Sequence, residues 1–256
     1  MLLPMLLLVS AYPVSDTVLD VIQLQSSGQC LVVLHEIDDY SSEIRTECHS
    51  PFGEVLWSVQ SPPVRSDAAG GFLCEGTAGE ILSVSTFGEG YTDILILLID
   101  PAGTVIGRDT LAMECYDSPQ ALTSTACGFI LLWDSWSQQR GIHIALVSWE
   151  GIVSKTCFVS YTINPGPVAM DAGEVVLVGL SPLLADRDVL FCYSPDGDLL
   201  WSEAPELPET AQLIEKIELL ESGLFTVLWH SLPDSEGGTV STFTRHDCKG
   251  GIISIE

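Results

Sequence analysis

One local pattern recurs five times along the chain, and it limits the available folds more than any other feature. The segments HSPFGEVLW, IDPAGTVIG, VSWEGIVSK, YSPDGDLLW and HDCKGGIIS share a turn glycine followed by aliphatic residues. Gly53, Gly103, Gly151, Gly197 and Gly250 stand 50, 48, 46 and 53 residues apart. Three residues before each lies Ser50, Asp100, Ser148, Ser194 or Asp247. A short oxygen-bearing side chain there accepts a backbone N–H two residues on and starts a tight turn. Pro51, Pro101 and Pro195 follow it in three of the five, presetting φ for the first central position. Glycine then takes the left-handed conformation that a β-carbon resists. Val55, Val105, Val153, Leu199 or Ile252 comes two residues after the glycine. The pattern predicts a β-hairpin, five times over.

A second glycine recurs upstream in each unit, at Gly28, Gly71, Gly128, Gly173 and Gly223. Strand-like runs such as CLVVLHEI, FILLWDSW, EVVLVGLS and LFTVLWHS follow these glycines. A third run, such as DILILLID or RDVLFCYS, precedes each hairpin glycine, and a fourth, clearest in TVLDVIQLQ, opens the unit. The unit reads strand a, glycine turn, strand b, variable loop, strand c, glycine turn, strand d. AQLIEKIELLE has helix-forming Glu and Lys, but the repeat register makes it a strand. In repeat two AGEILSVS reads as an extension of the b–c connection, and SPPV, NPGPV and APELPE read as loops between units. Four antiparallel strands repeated at this spacing form the blade of a propeller. The expected fold is all-β, a β-propeller of five four-stranded antiparallel blades in a single domain over 12–256. Its repeats run about 13–60, 61–112, 113–163, 164–207 and 208–256. GGIISIE supplies strand d of the fifth repeat and leaves no strand over, so the ring is expected to close without a blade shared between the termini, with an open arc that needs a partner as the alternative.

Within repeat two, Gly70-Gly71-Phe72, Gly76-Thr77, Phe87-Gly88, Asp93, Asp100 and Gly103 resemble the repeats of secreted bacterial β-propeller proteins. Those run GG-F/Y, G-x-T, F-G, D-x-x-L, D-x-x-G and then Trp. Trp57 and Trp201 supply the terminal tryptophan in repeats one and four, whereas Gly107, Lys155 and Ser254 replace it elsewhere. The resemblance covers about residues 13–256, with most of the pattern in repeat two. It implies a propeller and an extracytoplasmic setting. It implies no activity, because propellers host unrelated functions.

Composition narrows the partners. Thirty-five acidic residues face nine basic ones, a formal net charge of −26. That field repels polyanions, so nucleic acid and anionic membrane surfaces are poor partners. It suits a solvated surface on a protein whose 46% apolar content fills a large core. Residues 1–11, MLLPMLLLVSA, read as a short signal peptide cut before Tyr12, although no Lys or Arg precedes the apolar run. The run is too short to span a bilayer and no later segment does. The expectation is a secreted or periplasmic monomer.

The search for chemistry yields little. His35, His49, His143, His230 and His246 form no metal-binding or catalytic motif, and the eight cysteines show no CxxC spacing. No metal and no cofactor are expected. Cys48 and Cys192 occupy the same place in non-adjacent repeats and cannot bond each other. If a disulfide forms, Cys30 with Cys48 is the better pair, since one begins strand b and the other ends strand c; buried free thiols are the default. Asp16, Asp20, Glu215 and Glu218 on inner strands could serve a five-bladed glycosidase, which needs two carboxyls flanking the scissile bond. They alternate with Val18, Leu19, Ile217 and Leu219, which reads more simply as the polar side of amphipathic strands. The acidic Asp196-Gly197-Asp198 and the DSEGG segment at 234–238 read as turns. Trp57, Trp133, Trp201 and Trp229 read as packing between blades, and Trp136 as an exposed aromatic at a loop tip.

Strand alternation sends the two glycine turns of every blade to one face and the b–c and d–a connections to the other. The second set differs among repeats: DDYSSE (38–43), SVSTFGEGY (83–91), DSWSQQRG (134–141), SPLLADR (181–187) and SLPDSEGG (231–238). Variable loops on a rigid scaffold are where binding residues sit. Asp39, Tyr40, Trp136, Arg140 and Asp186 are therefore the candidate ligand-binding residues, for a protein or glycan partner. The expected function is a non-enzymatic binding module, with a glycosidase-type hydrolase as the alternative.

Overall fold

The computed structural model describes residues 16–26, 28–37, 40–65, 69–88, 90–112, 115–125, 127–136, 141–160, 165–170, 176–180, 189–194, 198–203, 213–220, 224–230, 240–247 and 251–255. The leader read over 1–11 lies outside them. Every element among the described residues is a β-strand.

The strands pair in chain order into five sheets. The first joins Asp16–Gln23 (β1), Gln29–Glu36 (β2), Ser41–His49 (β3) and Val55–Gln60 (β4), with the short Val64–Arg65 (β5) added to β3 beyond the end of β4. The second joins Gly71–Glu75 (β6), Ile81–Phe87 (β7), Asp93–Ile99 (β8) and Val105–Leu111 (β9), and the third Asp117–Thr125 (β10), Gly128–Ser135 (β11), Gly141–Val147 (β12) and Val153–Ser160 (β13). Pro165–Met170 (β14), Val176–Leu180 (β15), Val189–Tyr193 (β16) and Leu199–Glu203 (β17) make the fourth. Leu213–Leu219 (β18), Phe225–His230 (β19), Ser241–His246 (β20) and Ile252–Ile255 (β21) make the fifth. These are the blades of a five-bladed β-propeller, and no sheet among the described residues mixes strands from the two ends of the chain. AQLIEKIELLE supplies the strand β18, so tertiary pairing overrides its helix propensity.

The c–d hairpins form as their residues dictate. In each, the backbone N–H of the Ser or Asp that opens the turn donates to the carbonyl four residues on, at 2.8–2.9 Å: Ser50 to Glu54, Asp100 to Thr104, Ser148 to Ile152, Ser194 to Asp198 and Asp247 to Gly251. The opening side chain accepts N–H bonds from inside the turn, as Asp100 Oδ1 does from Ala102 (2.9 Å) and Thr104 (2.8 Å). Gly53, Gly103 and Gly151 have φ of 83°, 87° and 74°, the left-handed region the turn requires.

Two local expectations are overturned. In blade two Gly71 starts strand β6, and the a–b turn is at Gly76–Glu80, with Gly79 at φ 85°. AGEILSVS therefore holds the end of that turn and strand β7, and Ser83–Phe87 of the presumed loop is strand. The doubled glycine draws the expected turn too early, because Gly71 serves close packing instead: a β-carbon there would collide with Val32. Of the proline stretches, SPPV lies between β4 and β6 as an inter-blade connection, APELPE lies outside the described residues, and NPGPV departs from a loop. Pro165 and Pro167 lie within β14, an edge strand, where proline is tolerated, and next to the register shift between Pro165 and Val168. SPPV stays against the first sheet, with Ser61 N–H on the Ile44 carbonyl (2.8 Å) before the chain enters β5.

The described residues fall into two compact units, 1–137 with 145–155, and 138–144 with 156–256. In the first, one core cluster lies between blades one and two (Cys30, Val32, Ile44 and Cys48 against Leu73 and Ile81) and a second between blades two and three (Leu82, Ile94 and Ile96 against Phe129, Leu131 and Trp133). Strand b is accordingly buried almost throughout, whereas strand d alternates on the blade's outer edge. Trp57 on β4 lies over the c–d turn of blade two, donating its indole N–H to the Pro101 carbonyl at 3.2 Å. Where Gly107 replaces the tryptophan, the Glu150 backbone of the next turn comes directly against it. In the second unit Leu190 and Cys192 pack with Ile214, Ile217, Phe225, Val227 and Trp229, and Trp201 stacks on Phe225 at 5.9 Å.

Two aspartates staple successive blades by the same device. Asp20 accepts the N–H of its neighbour Val21 and that of Leu73 in blade two, both at 2.8 Å. Asp109 accepts those of Thr110 and of Val153 in blade three, both at 2.8 Å. Asp109→Ala should lower stability by about 1–2 kcal/mol, as expected for a half-buried charged hydrogen bond. Asp109→Asn, which keeps one acceptor, should lose less. Urea midpoints of the two variants check this, and equal losses would contradict it.

Candidate functional site

The loop face of the first unit is a ladder of connecting segments tied by backbone hydrogen bonds. Gly88 N–H donates to the Pro63 carbonyl (2.9 Å) and Arg65 N–H to the Gly88 carbonyl (3.3 Å). Asp117 N–H donates to the Thr92 carbonyl (2.9 Å), and the Thr92 hydroxyl returns a bond to the Asp117 carbonyl (3.0 Å). Trp136 N–H donates to the Tyr116 carbonyl at 2.9 Å. Four chain-distant segments, at 63–65, 88–92, 115–117 and 135–136, thus hold one another in place.

Large side chains stand exposed on this ladder. Tyr91, Tyr116 and Trp136 are 62%, 40% and 53% exposed. The Tyr91 and Tyr116 rings meet edge to face with centroids 5.5 Å apart. The Arg65 guanidinium lies 5.8 Å from the Tyr116 ring centre and reaches its hydroxyl at 3.3 Å. Trp136 donates its indole N–H to Asp134 at 3.1 Å, which fixes the ring's azimuth. Tyr40, 84% exposed, precedes Ser41, whose backbone pairs with Arg65 across β3 and β5, so its loop joins the same ledge.

Beneath the ledge Cys115 packs against Asp117 (3.7 Å) and Ser135 (3.3 Å), all three buried. Burial lifts the Cys115 thiol above its ordinary range, more than the Ser135 contact lowers it. It is a protonated donor, the opposite of an activated nucleophile.

Of the candidate residues named from the sequence, Tyr40 and Trp136 stand on this ledge. Asp39, Arg140 and Asp186 lie outside the described residues. Arg65, Tyr91 and Tyr116 escaped the sequence reading. The available signal was Arg65 itself, one of nine basic residues in the chain, placed directly after SPPV. Of the carboxylates weighed for glycoside hydrolysis, the two on β1 serve structure. Asp16 pairs with His35 Nδ1 at 2.6 Å, and both oxygens of Asp20 accept backbone N–H bonds while burial raises its pKa. Glu218 is exposed on β18, and the Glu215 side chain lies outside the described residues. Asp196, Gly197 and DSEGG lie outside them too. Among the described residues no three His, Cys, Asp or Glu side chains group as a metal site would require.

The opposite face of this unit, where the glycine turns emerge, carries a cleft of about 450 Å³ between blades one and two. Leu24, Cys48, Leu56, Trp57, Thr77 and Pro101 are among the residues that line it.

No family model matches the chain, and no curated protein does. Among solved structures, hydrazine synthase of Kuenenia stuttgartiensis superposes with a TM-score of 0.54 at 11% identity, over 88% of this chain and 61% of that one. A eukaryotic initiation factor gives 0.49 at 8% identity, over 93% and 55%. Prolyl oligopeptidase B of Galerina marginata gives 0.43 at 12%, over 94% and 42%. This chain spans about three fifths or less of their lengths, and the likeness to the first, at 11% identity, is one of fold alone.

Proposed function

We propose that this protein is a non-enzymatic, extracytoplasmic binding module that docks a protein partner through the aromatic ledge on its loop face. The observation that carries this reading is the placement of Tyr91, Tyr116 and Trp136, exposed and backed by Arg65, on loops that bond to one another. Tyr, Trp and Arg dominate the energetic centres of protein interfaces, and their few rotatable bonds make ordering them inexpensive in entropy. Contiguous exposed aromatic surface is uncommon on a protein that binds nothing there. The net charge of −26 favours a basic partner, whose approach it accelerates. Beneath the ledge the Asp117 carboxylate meets the Cys115 thiol and the Asp134 carboxylate holds the Trp136 indole N–H, contacts that support a recognition surface.

Arrays of basic, aromatic-containing peptides and of glycans, screened with the purified protein, test the reading, with reducing-sugar release followed in parallel. Peptide binding is expected, and Trp136→Ala should weaken it about thirtyfold, equivalent to ~2 kcal/mol. Glycan binding lost on the same substitution would keep the ledge but change the partner to a sugar. Binding that survives Trp136→Ala and Tyr116→Ala but is lost on altering Thr77 or Leu24 would move the site to the opposite face. Sugar release would overturn the non-enzymatic reading.

A further inference from the structure

Cys30 and Cys48 are direct cross-strand partners, set between the pairs Gln29–His49 and Leu31–Glu47 of β2 and β3. Opposed residues of an antiparallel pair have Cα atoms about 4.5–5.5 Å apart, inside the roughly 4.4–6.8 Å that a disulfide spans. Both side chains enter one core cluster, so they point to the same side of the sheet. Both are thiols in this structure. They differ in access: Cys30 is fully buried, whereas Cys48 forms part of the wall of the cleft between blades one and two.

We propose that Cys30 and Cys48 are a disulfide-forming pair, joined across β2 and β3 when the chain folds in the presence of a disulfide donor, with Cys48 the thiol that meets the donor first. The Cys48 thiolate attacks one sulfur of the donor disulfide, expelling a thiol and leaving a mixed disulfide on Cys48. Cys30 then loses its proton and attacks the Cys48 sulfur, releasing the second donor thiol. Two protein thiols give up two electrons and two protons, and the donor is reduced to two thiols. Burial raises the pKa of both cysteines, and the neighbouring Cys48 raises that of Cys30 further, so the closed native sheet holds them protonated and slow to react. The bond therefore forms before blade two packs down fully, while the cleft side of Cys48 is still open to the donor.

The full chain refolded from denaturant in oxidised and reduced glutathione, and in parallel in dithiothreitol, tests this. After oxidative refolding, a proteolytic map should contain the Cys30 peptide linked to the Cys48 peptide, and alkylation of the denatured protein should modify two fewer cysteines. Closing this loop should raise Tm by roughly 6–12 °C over the reduced protein. Cys30→Ala/Cys48→Ala should show neither the linkage nor the rise, whereas Cys127→Ala, at an exposed position, should show both. Should the double variant fail to fold, the map of the wild-type chain decides alone. Both thiols still alkylated after oxidative refolding, or either linked to another cysteine, would overturn the proposal.

Discussion

Trp229→Ala is expected to destabilise the second unit by about 3–5 kcal/mol, the range for deleting a fully buried large aromatic. Trp229 is fully buried and belongs to the cluster that joins blade four to blade five. Its indole N–H donates to Thr244 Oγ1 at 2.8 Å, and the same oxygen contacts His246 Nε2 at 2.7 Å. His246 in turn stacks on Phe225 at 4.8 Å, so the alanine variant leaves a cavity and also slackens a buried polar chain. Thr244→Val should cost less, about 1–3 kcal/mol, by leaving the indole N–H without its acceptor. Trp136→Ala supplies the contrast, because that ring is more than half exposed and its loss should change stability by no more than about 0.5 kcal/mol. Far-UV circular dichroism against urea measures all three. Equal losses for Trp136 and Trp229 would contradict the assignment of one to a surface and the other to a core.

Gly103→Val should be comparably damaging in the first unit, by about 3 kcal/mol or more. Gly103 has φ of 87°, and a β-carbon there would stand 2.5 Å from Trp57 Cγ and 2.6 Å from Trp57 Cβ. A β-branched residue in that region carries a backbone cost of about 1–3 kcal/mol. Expelling Trp57 adds the loss of its contacts and of its bond to Pro101. A fall in Tm of roughly 6–12 °C follows for a chain of this size. In a Trp57→Ala background the clash with the indole ring should vanish while the contact with Cβ and the backbone part remain, a coupling of about 1–2 kcal/mol. If Gly103→Val costs the same in both backgrounds, the tryptophan does not press on this turn.

The parts of the fold that were legible in the sequence are those whose physics is local. The hairpin opened by Ser50, Asp100, Ser148, Ser194 and Asp247 needs only neighbouring atoms, so its residues announce it. Blade two was misread at Gly71 because that glycine answers to a distant side chain, Val32, and not to a turn. Pro165 and Pro167 looked like loop residues because an edge strand and a loop both tolerate a missing N–H, and only the pairing of β14 with β15 separates them. The binding ledge was half visible for the same reason. Tyr40, Tyr91 and Trp136 sit on loops that the repeat register picks out, whereas Arg65 and Tyr116 become their neighbours only when hydrogen bonds draw distant segments onto one surface.

Because every sheet is completed by strands that follow one another along the chain, folding can keep pace with synthesis. A hairpin closes in about 1–10 μs, while a ribosome adding about 5–20 residues per second takes roughly 2–9 s to supply the next 45 residues. Each blade thus forms early and then waits, its seam bare, for the neighbour that will cover it. Blade one waits with Val32 and Ile44 uncovered until Leu73 and Ile81 arrive. The interval is long on the scale of aggregation, and the excess of negative charge keeps two such half-covered chains apart while it lasts.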